Sequence, residues 1–235
     1  DFDADIELGD LDNLFAKEEE ISQRIDLPNE FQTLTGRSHP ASARVPLNYL
    51  RKRAVVEKDI LFWKIGFCAS GEYKNRIILP SFDDNGYCNF FTSRTYDPSV
   101  WPPYLNGPGN KDIIFNELLI DWEREVTLVE GVFDAIVAGE NSIPLLGSTL
   151  REDSKLFRKI VLNDTPVLLG LDNDAHKKAM RLVKALLAHD IEVRMMDTSG
   201  YKDIGEMPRD TFDKRKEKAS FIDSDAYLFK IALMA

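Results

Sequence analysis

Two apolar runs that end in carboxylates constrain the fold of this chain more than any other feature. Residues 126–129 lead into Glu130, and residues 167–171 lead into Asp172. Uninterrupted apolar runs of this length are typical of strands buried on both faces of a parallel sheet. Ligand sites of open α/β sheets lie at the carboxyl ends of such strands. The sequence therefore predicts that acids from two separate strands meet at one edge of a sheet.

Two further acids follow these strands. Asp134 comes one helical turn after Glu130, and Asp174 comes two residues after Asp172, on the same side of an extended chain. Clustered carboxylates repel one another, so one pKa rises unless a cation neutralises them, and oxygen ligands in this number suit Mg²⁺ or Mn²⁺. The alternative is that Asp134 and Asp174 are only the acids that helices favour in their first turn. That alternative leaves Glu130 and Asp172 unexplained.

Strands that alternate with helices in the second half predict right-handed crossovers and a parallel sheet. We predict strands at residues 126–129, 143–146, 167–171 and 192–196, helices at residues 132–138, 152–162 and 175–189, and a final helix at residues 211–235. The fold class is therefore α/β, with a parallel sheet flanked by helices.

The first half predicts a smaller α+β subdomain on antiparallel strands. We predict helices at residues 47–53 and 56–63, strands at residues 65–67, 76–82 and 87–96, an irregular segment at residues 96–109 and a helix at residues 110–123. Asp84-Asn85-Gly86 is a strong hairpin-turn signal between two of the strands.

Charge divides the chain further. The formal net charge is −10, but residues 1–30 alone hold 11 acids and 2 bases, whereas residues 37–94 hold 10 bases and 5 acids. We therefore divide the chain into an acidic tail or linker (1–36), a basic α+β subdomain (37–122), the parallel-sheet domain (123–207) and a C-terminal helix (208–235). A basic segment beside a carboxylate site suits a polyanionic partner with a metal between them, although a solvated charged surface is the alternative.

Composition excludes some classes of protein. Two cysteines, Cys68 and Cys88, make neither a disulfide framework nor a four-ligand zinc site, so no zinc is expected in this chain. No apolar run is long enough for a membrane span and the start is not signal-like, so we expect no membrane partner and a cytoplasmic location.

The acidic motifs resemble those of the TOPRIM domain of topoisomerases and primases. Glu130-Gly131 with Asp134 matches its first motif, and Asp172 with Asp174 matches its Asp-x-Asp motif. Lys202-Asp203 is similar to the Lys-Asp segment that follows in DnaG-type primases. Gly205 departs from the pattern, because a further acid is common near that position in these enzymes.

The upstream half resembles DnaG-type primases as well. The matching segments are Tyr49-Leu50-Arg51-Lys52-Arg53, Asn75-Arg76-Ile77-Ile78-Leu79-Pro80-Ser81-Phe82-Asp83, Ser93-Arg94 and Tyr104-Leu105-Asn106. The resemblance runs from about residue 47 to about residue 206, and the motifs follow one another in family order. It implies the catalytic core of a bacterial or phage-type primase, which makes short RNA primers on single-stranded DNA.

The resemblance also implies roles for individual residues. Glu130 would be a metal ligand or general base, and Asp172 and Asp174 would be the principal metal ligands. Asp134 and Asp203 would support this cluster or hold a second ion. Contacts to nucleotide or DNA phosphates would come from Lys74, Arg76, Arg94, Asn106, Lys202, Arg51 and Arg53.

Single-stranded DNA, nucleoside triphosphates and a replicative helicase would be the partners, in a bacterial host cytoplasm if the protein is phage-encoded. DnaG-type primases usually carry an N-terminal zinc-binding domain, and nothing in this sequence resembles one. Two alternatives stay open. One is a metal-dependent TOPRIM nuclease, and the other is a non-catalytic DNA-binding replication protein with a degenerate site.

Overall fold

The computed structural model describes residues 23–147, 150–172 and 175–232, which form two five-stranded sheets. The first sheet is antiparallel throughout, in the order β1-β2-β3-β4-β5. Its strands are β1 (Phe31–Thr33), β2 (Gly66–Cys68), β3 (Arg76–Phe82), β4 (Cys88–Thr95) and β5 (Tyr104–Asn106). Helices α1 (Arg44–Lys52) and α2 (Glu57–Phe62) lie between β1 and β2 in the chain. The predicted antiparallel α+β subdomain is confirmed.

The turn between β3 and β4 forms at the predicted Asp-Asn-Gly signal. Asp83 organises it, because its carboxylate accepts hydrogen bonds from the backbone N–H groups of Asn85 at 3.1 Å and Tyr87 at 2.8 Å. Gly86 has a φ of +82°, a conformation that glycine adopts without steric cost. The hairpin fixes the register that aligns Arg76 with Thr95 at the far end of the strand pair.

The second sheet contains the predicted parallel strands, in the order β10-β9-β8-β6-β7. Its strands are β6 (Val126–Val129), β7 (Ser142–Pro144), β8 (Val167–Gly170), β9 (Val193–Met195) and β10 (Ser220–Phe221). The crossover helices are α3 (Val132–Ala138), α4 (Lys155–Leu162) and α5 (His176–Leu187). All residues of β6, β7 and β8 are buried, as expected for strands covered on both faces.

One hydrophobic core joins the two sheets. It runs from Leu79 on β3 and Phe90 on β4 through Phe115 to Phe133 on α3. Helix α3 buries all seven of its residues, because it lies between the second sheet and the first subdomain. The opposite face of the second sheet has its own core beneath α4 and α5. The acidic ends of β6 and β8 therefore lie beside a packed boundary between the sheets.

Four sequence-based expectations about elements are wrong. Residues 23–36 are not a tail, because Ile25 hydrogen-bonds to Cys88 and β1 pairs with β2. Tyr104–Asn106 is a strand despite the prolines before it, since pairing with β4 satisfies its backbone. Residues 110–123 contain only the short 3-10 turn Glu117–Leu119, which begins after Asn116 in a left-handed conformation. Residues 1–22 lie outside the described part of the chain.

The fourth correction concerns the C-terminal segment, which is not one helix. It contains α6 (Arg209–Glu217), strand β10 and α7 (Ser224–Ala232). β10 pairs antiparallel with β9, and the Arg194 guanidinium of β9 donates to the carbonyl oxygen of Lys216 at 2.6 Å, where α6 ends. Backbone pairing at the open sheet edge therefore outweighs the helical preference of this segment.

No helix within residues 23–147, 150–172 and 175–232 has both the length and the apolar content that a membrane span requires.

An ion pair fastens the C-terminal segment to the first subdomain. The Asp59 carboxylate is buried, accepts the backbone N–H of Val56 at 2.8 Å and receives the Arg209 guanidinium at 2.7 Å. These two elements are 150 residues apart in the chain. Losing the guanidinium would leave a buried carboxylate without its countercharge, which is a costly arrangement in proteins.

We therefore expect Arg209→Ala to lower the free energy of unfolding by about 2 kcal/mol. Lys214→Ala is the matched control on the same helix, because its ion pair with Asp210 spans 3.8 Å in solvent and should contribute less than about 0.5 kcal/mol. Urea unfolding of both variants measures the difference. Equal losses would contradict the role assigned to the Asp59–Arg209 pair.

Candidate functional site

The structure brings Glu130 and Asp172 together at the carboxyl ends of β6 and β8. The two strands pair in parallel with Val129 opposite Gly170, so the chain leaves both strands at the same height. A Glu130 carboxylate oxygen accepts the backbone N–H of Asp172 at 3.3 Å. Acids that are 42 residues apart in sequence thus border one point at the sheet edge.

Asp134 lies deeper, at the start of α3. Its carboxylate is 8% exposed and accepts two backbone N–H groups, from Gly131 at 2.8 Å and from Gly205 at 2.7 Å. The pKa of Asp134 is raised from 3.8 to about 6, mainly by burial and also by the charges of Asp203 and Glu130, while the two hydrogen bonds oppose the rise. The bond to Gly131 closes the first turn of α3, so Asp134 has a structural role whatever else it does.

Asp203 supplies an acceptor that no described group satisfies. Its Oδ1 atom is buried and has no hydrogen-bond partner among residues 23–147, 150–172 and 175–232. A buried acceptor without a donor is costly, and a bound cation is one of the arrangements that removes the cost. The geometry at Asp203 therefore fits a cation ligand.

Gly205 allows Asp134 and Asp203 to approach each other. A Cβ at this position would lie 3.0 Å from Oδ1 of Asp134 and 3.2 Å from Oδ1 of Asp203, which is closer than side chains normally pack. The residue that departs from the family pattern is thus the one whose backbone N–H binds Asp134. A further acid could not stand here without moving both carboxylates.

The described acids form two pairs rather than one metal-binding cluster. Within residues 23–147, 150–172 and 175–232, no group of three or more His, Cys, Asp or Glu side chains lies close enough to hold a metal ion. The predicted ligand Asp174 lies outside the described residues. Glu130 with Asp172 and Asp134 with Asp203 are the pairs that the structure brings together.

Two arginines from the first subdomain share one tyrosine hydroxyl. The Tyr49 hydroxyl oxygen accepts hydrogen bonds from Nε of Arg53 at 2.8 Å and from Nε of Arg94 at 3.1 Å. The Arg53 guanidinium lies 4.6 Å from the ring centre of Phe133, and that of Arg94 lies 4.6 Å from the ring centre of Tyr104. We call Tyr49, Arg53, Arg94 and Tyr104 the arginine–tyrosine cluster.

The charge of Asp134 acts on one member of this cluster, Tyr104. Burial raises the pKa of Tyr104, the Arg94 and Arg53 guanidinium groups lower it, and the negative charge of Asp134 raises it again. Arg53 also covers Phe133, the residue before Asp134. The arginine–tyrosine cluster is therefore linked to Asp134 through Tyr104 and through the contact of Arg53 with Phe133.

The role predicted for Arg76 is wrong. Its side chain is 3% exposed and its guanidinium donates to the carbonyl oxygens of Pro102 at 2.6 Å and Pro103 at 3.4 Å. Burial lowers the pKa of Arg76. The guanidinium lies beneath the loop before β5 and holds that loop, so it does not face solvent where phosphates would bind.

The other predicted binding residues are spread over the surface. Lys74, Lys202 and Arg51 are exposed, and Arg51 donates to the Asn48 side chain at 3.2 Å. Asn106 is partly buried, and its amide oxygen bonds to the Thr92 hydroxyl at 2.8 Å. Of the predicted set, Arg53 and Arg94 are the two that the structure joins through the Tyr49 hydroxyl.

A cavity beside Asp172 contains cations that the sequence did not indicate. It has a volume of about 300 Å³ and lies between β8, β9 and the C-terminal segment. Its cations are Arg215, Lys218 and Lys230, and Leu171 and Met195 are part of its apolar wall. The Arg215 guanidinium is held by the carbonyl oxygens of Asp197 and Ser199, each at 2.8 Å.

Sequence reasoning missed these cations and the roles of two tyrosines. Tyr49 and Tyr104 stand in the quoted motifs, so the signal was present without a role attached to it. No comparable signal exists for Lys218 and Lys230, because only the fold of the C-terminal segment brings them to Asp172.

The raised pKa of Asp134 predicts a pH-dependent stability in metal-free buffer. A folded-state pKa above the unfolded value makes the contribution of Asp134 largest below about pH 4, and this contribution is lost as the pH rises through about 6. The free energy of unfolding of wild type exceeds that of Asp134→Ala by an amount that should fall by about 3 kcal/mol across that window.

Chemical denaturation of both proteins at a series of pH values measures this difference. Asp134→Asn is the matched variant, since it also lacks the charge and should give the same pH profile relative to wild type. A difference that does not change with pH would show that the carboxylate titrates equally in the folded and unfolded chains.

Comparisons with known proteins give one consistent result. No model of a known protein family matches the chain. A DNA primase from Listeria innocua is 33% identical over 34% of this chain, and a DNA primase from Campylobacter jejuni is 29% identical over 68% of it. The chain covers 15% of the first relative and 34% of the second, so it spans about a third or less of their length.

Solved structures extend the similarity to the whole fold. The structure described as the DnaG primase catalytic domain bound to ssDNA superimposes with a TM-score of 0.68 at 18% identity. The match covers 82% of this chain and 76% of that one. The chain is therefore similar in sequence to DNA primases and in fold to the catalytic domain of DnaG primase.

Proposed function

We propose that this chain is the catalytic part of a DNA primase that makes short RNA primers on single-stranded DNA. The observation that carries the proposal is the meeting of Glu130 and Asp172 at the ends of two parallel strands, with Arg53 against Phe133, one residue before Asp134. Carboxylates next to fixed cations suit the transfer of a nucleotide, since the reaction needs a proton acceptor and stabilisation of phosphate charge.

A divalent cation is part of the proposal. We propose that Glu130, Asp172 and Asp174 hold Mg²⁺ or Mn²⁺, and that Asp203 and Asp134 support a second ion. The buried oxygen of Asp203 and the raised pKa of Asp134 support a cation here, because both describe negative charge that lacks compensation. Such ions would lower the pKa of a hydroxyl group and neutralise triphosphate charge.

The side chains of this chain have their own parts in the proposal. Glu130 would accept the proton of the attacking 3′-hydroxyl, which requires a carboxylate at the edge of the site rather than inside the core. Arg53 and Arg94 are oriented by Tyr49 and would hold phosphate oxygens in a fixed geometry.

The cavity beside Asp172 offers a place for a nucleotide. Three cations line it, and a volume of about 300 Å³ is at the small end of the range for ligand pockets. We propose that Lys218 and Lys230 attract the triphosphate to this edge of the sheet. The exposed Lys74, Lys202 and Arg51 would contribute to the field that attracts DNA, whereas Asn106 would position β5.

The domains and partners follow from this assignment. We propose that residues 37–122 bind template, that residues 123–207 hold the acids, and that residues 208–235 close the cavity. The proposed partners are single-stranded DNA, nucleoside triphosphates and a replicative helicase. Single-stranded DNA is the ligand of the structurally similar DnaG primase catalytic domain. Because primer synthesis uses the DNA and nucleotides of the cell, we propose that the protein works in the cytoplasm.

One incubation tests the function directly. The chain is mixed with single-stranded DNA, labelled nucleoside triphosphates and Mg²⁺, and the products are separated by length. New labelled oligonucleotides support a primase. Shortening of the DNA without synthesis would favour a nuclease, and binding without either product would favour a non-catalytic protein.

Glu130→Gln should separate catalysis from DNA binding. The substitution keeps the size of the side chain and removes its charge and its capacity to accept a proton, so primer synthesis should fall by at least about 100-fold. Metal-free binding of single-stranded DNA should remain, because the first subdomain is unchanged. Glu140→Gln is the control, since Glu140 is exposed and precedes β7, at the opposite end of α3 from Glu130.

Primer yield and DNA affinity are measured for both variants beside their circular dichroism spectra. Near-normal synthesis by Glu130→Gln would overturn the role of Glu130 in the reaction. A combined loss of binding and of the folded spectrum would make Glu130 a structural residue instead.

Arg94→Ala should weaken single-stranded DNA binding and change its salt dependence. A lost phosphate contact reduces the log–log slope of affinity against salt by about 0.7. Lys184→Ala is the control, because Lys184 is an exposed cation on α5, which covers the other face of the second sheet. Equal slopes for Arg94→Ala and wild type would move the DNA path away from the arginine–tyrosine cluster.

A further inference from the structure

Trp101 is the most exposed large hydrophobic residue among those the structure describes. Its side chain is 85% exposed, whereas Trp63 is 3% exposed in the core. It lies in the loop of residues 97–103, which joins β4 to β5. A large apolar side chain held in solvent is often part of a binding surface, so the surroundings of Trp101 decide whether it has a partner.

The loop that carries Trp101 is fastened to the first sheet on both sides. Arg76 donates to the carbonyl oxygens of Pro102 and Pro103, and the backbone N–H of Thr95 donates to Pro103 at 3.0 Å. At the start of the loop, Asp97 accepts the Asn75 amide at 3.2 Å and the Ser99 hydroxyl at 2.7 Å. The backbone around Trp101 is therefore fixed before any ligand arrives, which reduces the entropy lost on binding.

Aromatic and cationic groups continue from this loop towards the acids. Tyr104 follows Trp101 by three residues, so their Cα atoms are at most about 11 Å apart. Tyr104 is 42% exposed and lies against Arg94. On the other side of the loop, the exposed Lys74 precedes Asn75, whose side chain holds Asp97. Aromatic faces alternating with cations are the arrangement that binds a single nucleic-acid strand.

We propose that Trp101 is a stacking platform for a base of the single-stranded DNA template, with Tyr104 and Arg94 next along the strand. The inference rests on the proposed function, and it adds a site that recognises unpaired bases of any sequence. A single strand suits it because its bases expose their faces, whereas those of a duplex are covered by stacking. The phosphates between the bases would face Arg94 and Lys74.

The proposal predicts a loss of affinity that is not electrostatic. Trp101→Ala should weaken binding of oligo(dT) about 5- to 150-fold, which corresponds to one stacked base. The slope of log affinity against log salt should stay as in wild type, because no phosphate contact is removed. Trp101→Phe should keep most of the affinity, since it keeps an aromatic face.

Leu162→Ala is the matched control. Leu162 is also strongly exposed, but it ends α4, close to the amino end of β8 and away from the acids. The Leu162→Ala substitution should leave the affinity for oligo(dT) unchanged. Binding is measured by fluorescence anisotropy with the full chain and no metal or nucleotide, so the result does not depend on catalysis.

Tryptophan fluorescence provides a second measurement. Oligo(dT) should quench the emission of wild type, and the quenching should be lost in Trp101→Phe, because Trp63 is buried and Trp122 only partly exposed. Wild-type affinity of Trp101→Ala together with unchanged quenching in Trp101→Phe would overturn the stacking site. That result would not contradict the proposed primer synthesis. A wild-type chain that binds no oligo(dT) would overturn the proposed template binding together with the stacking site.

Discussion

The parallel pairing of β6 with β8 is the constraint on which the candidate site depends. It places Val129 opposite Gly170, so Glu130, one residue after β6, and Asp172, two residues after β8, leave the sheet at one edge. Both strands are fully buried between the two cores, and their parallel backbone pairing runs from Val126 opposite Val167 to Val129 opposite Gly170. The acids are thus held together by hydrophobic burial rather than by mutual attraction, which carboxylates lack.

Helix α3 connects this acidic edge to the first subdomain. Phe133 packs in the shared core beneath the Arg53 guanidinium, while its neighbour Asp134 turns towards Gly205. Consecutive residues of one short helix therefore contact the cationic border and the acids. Through this helix, Arg53 from the first subdomain lies one residue away from an acid of the second sheet.

Much of this arrangement could be predicted from the sequence, because periodicity and buried runs are local signals. The bounds of β6 and α3 are those expected, and so is the meeting of Glu130 with Asp172. The departures have tertiary causes. β10 forms because the edge of β9 was open, and Lys218 reaches the cavity beside Asp172 only through that pairing. No pattern within residues 208–235 specifies a partner strand elsewhere in the chain.

Arg76 shows why a motif does not assign a role by itself. An arginine beside a predicted polyanion site suggests a phosphate contact, but this guanidinium is buried and donates to Pro102 and Pro103. Removing a guanidinium from water is costly, and the hydrogen bonds of Arg76 offset part of that cost. These hydrogen bonds fix the conformation of the loop that precedes Tyr104. The same loop exposes Trp101 and brings Tyr104 against Arg94. A buried cation can therefore support nucleic-acid binding without touching a phosphate, by fixing the backbone that presents the aromatic faces.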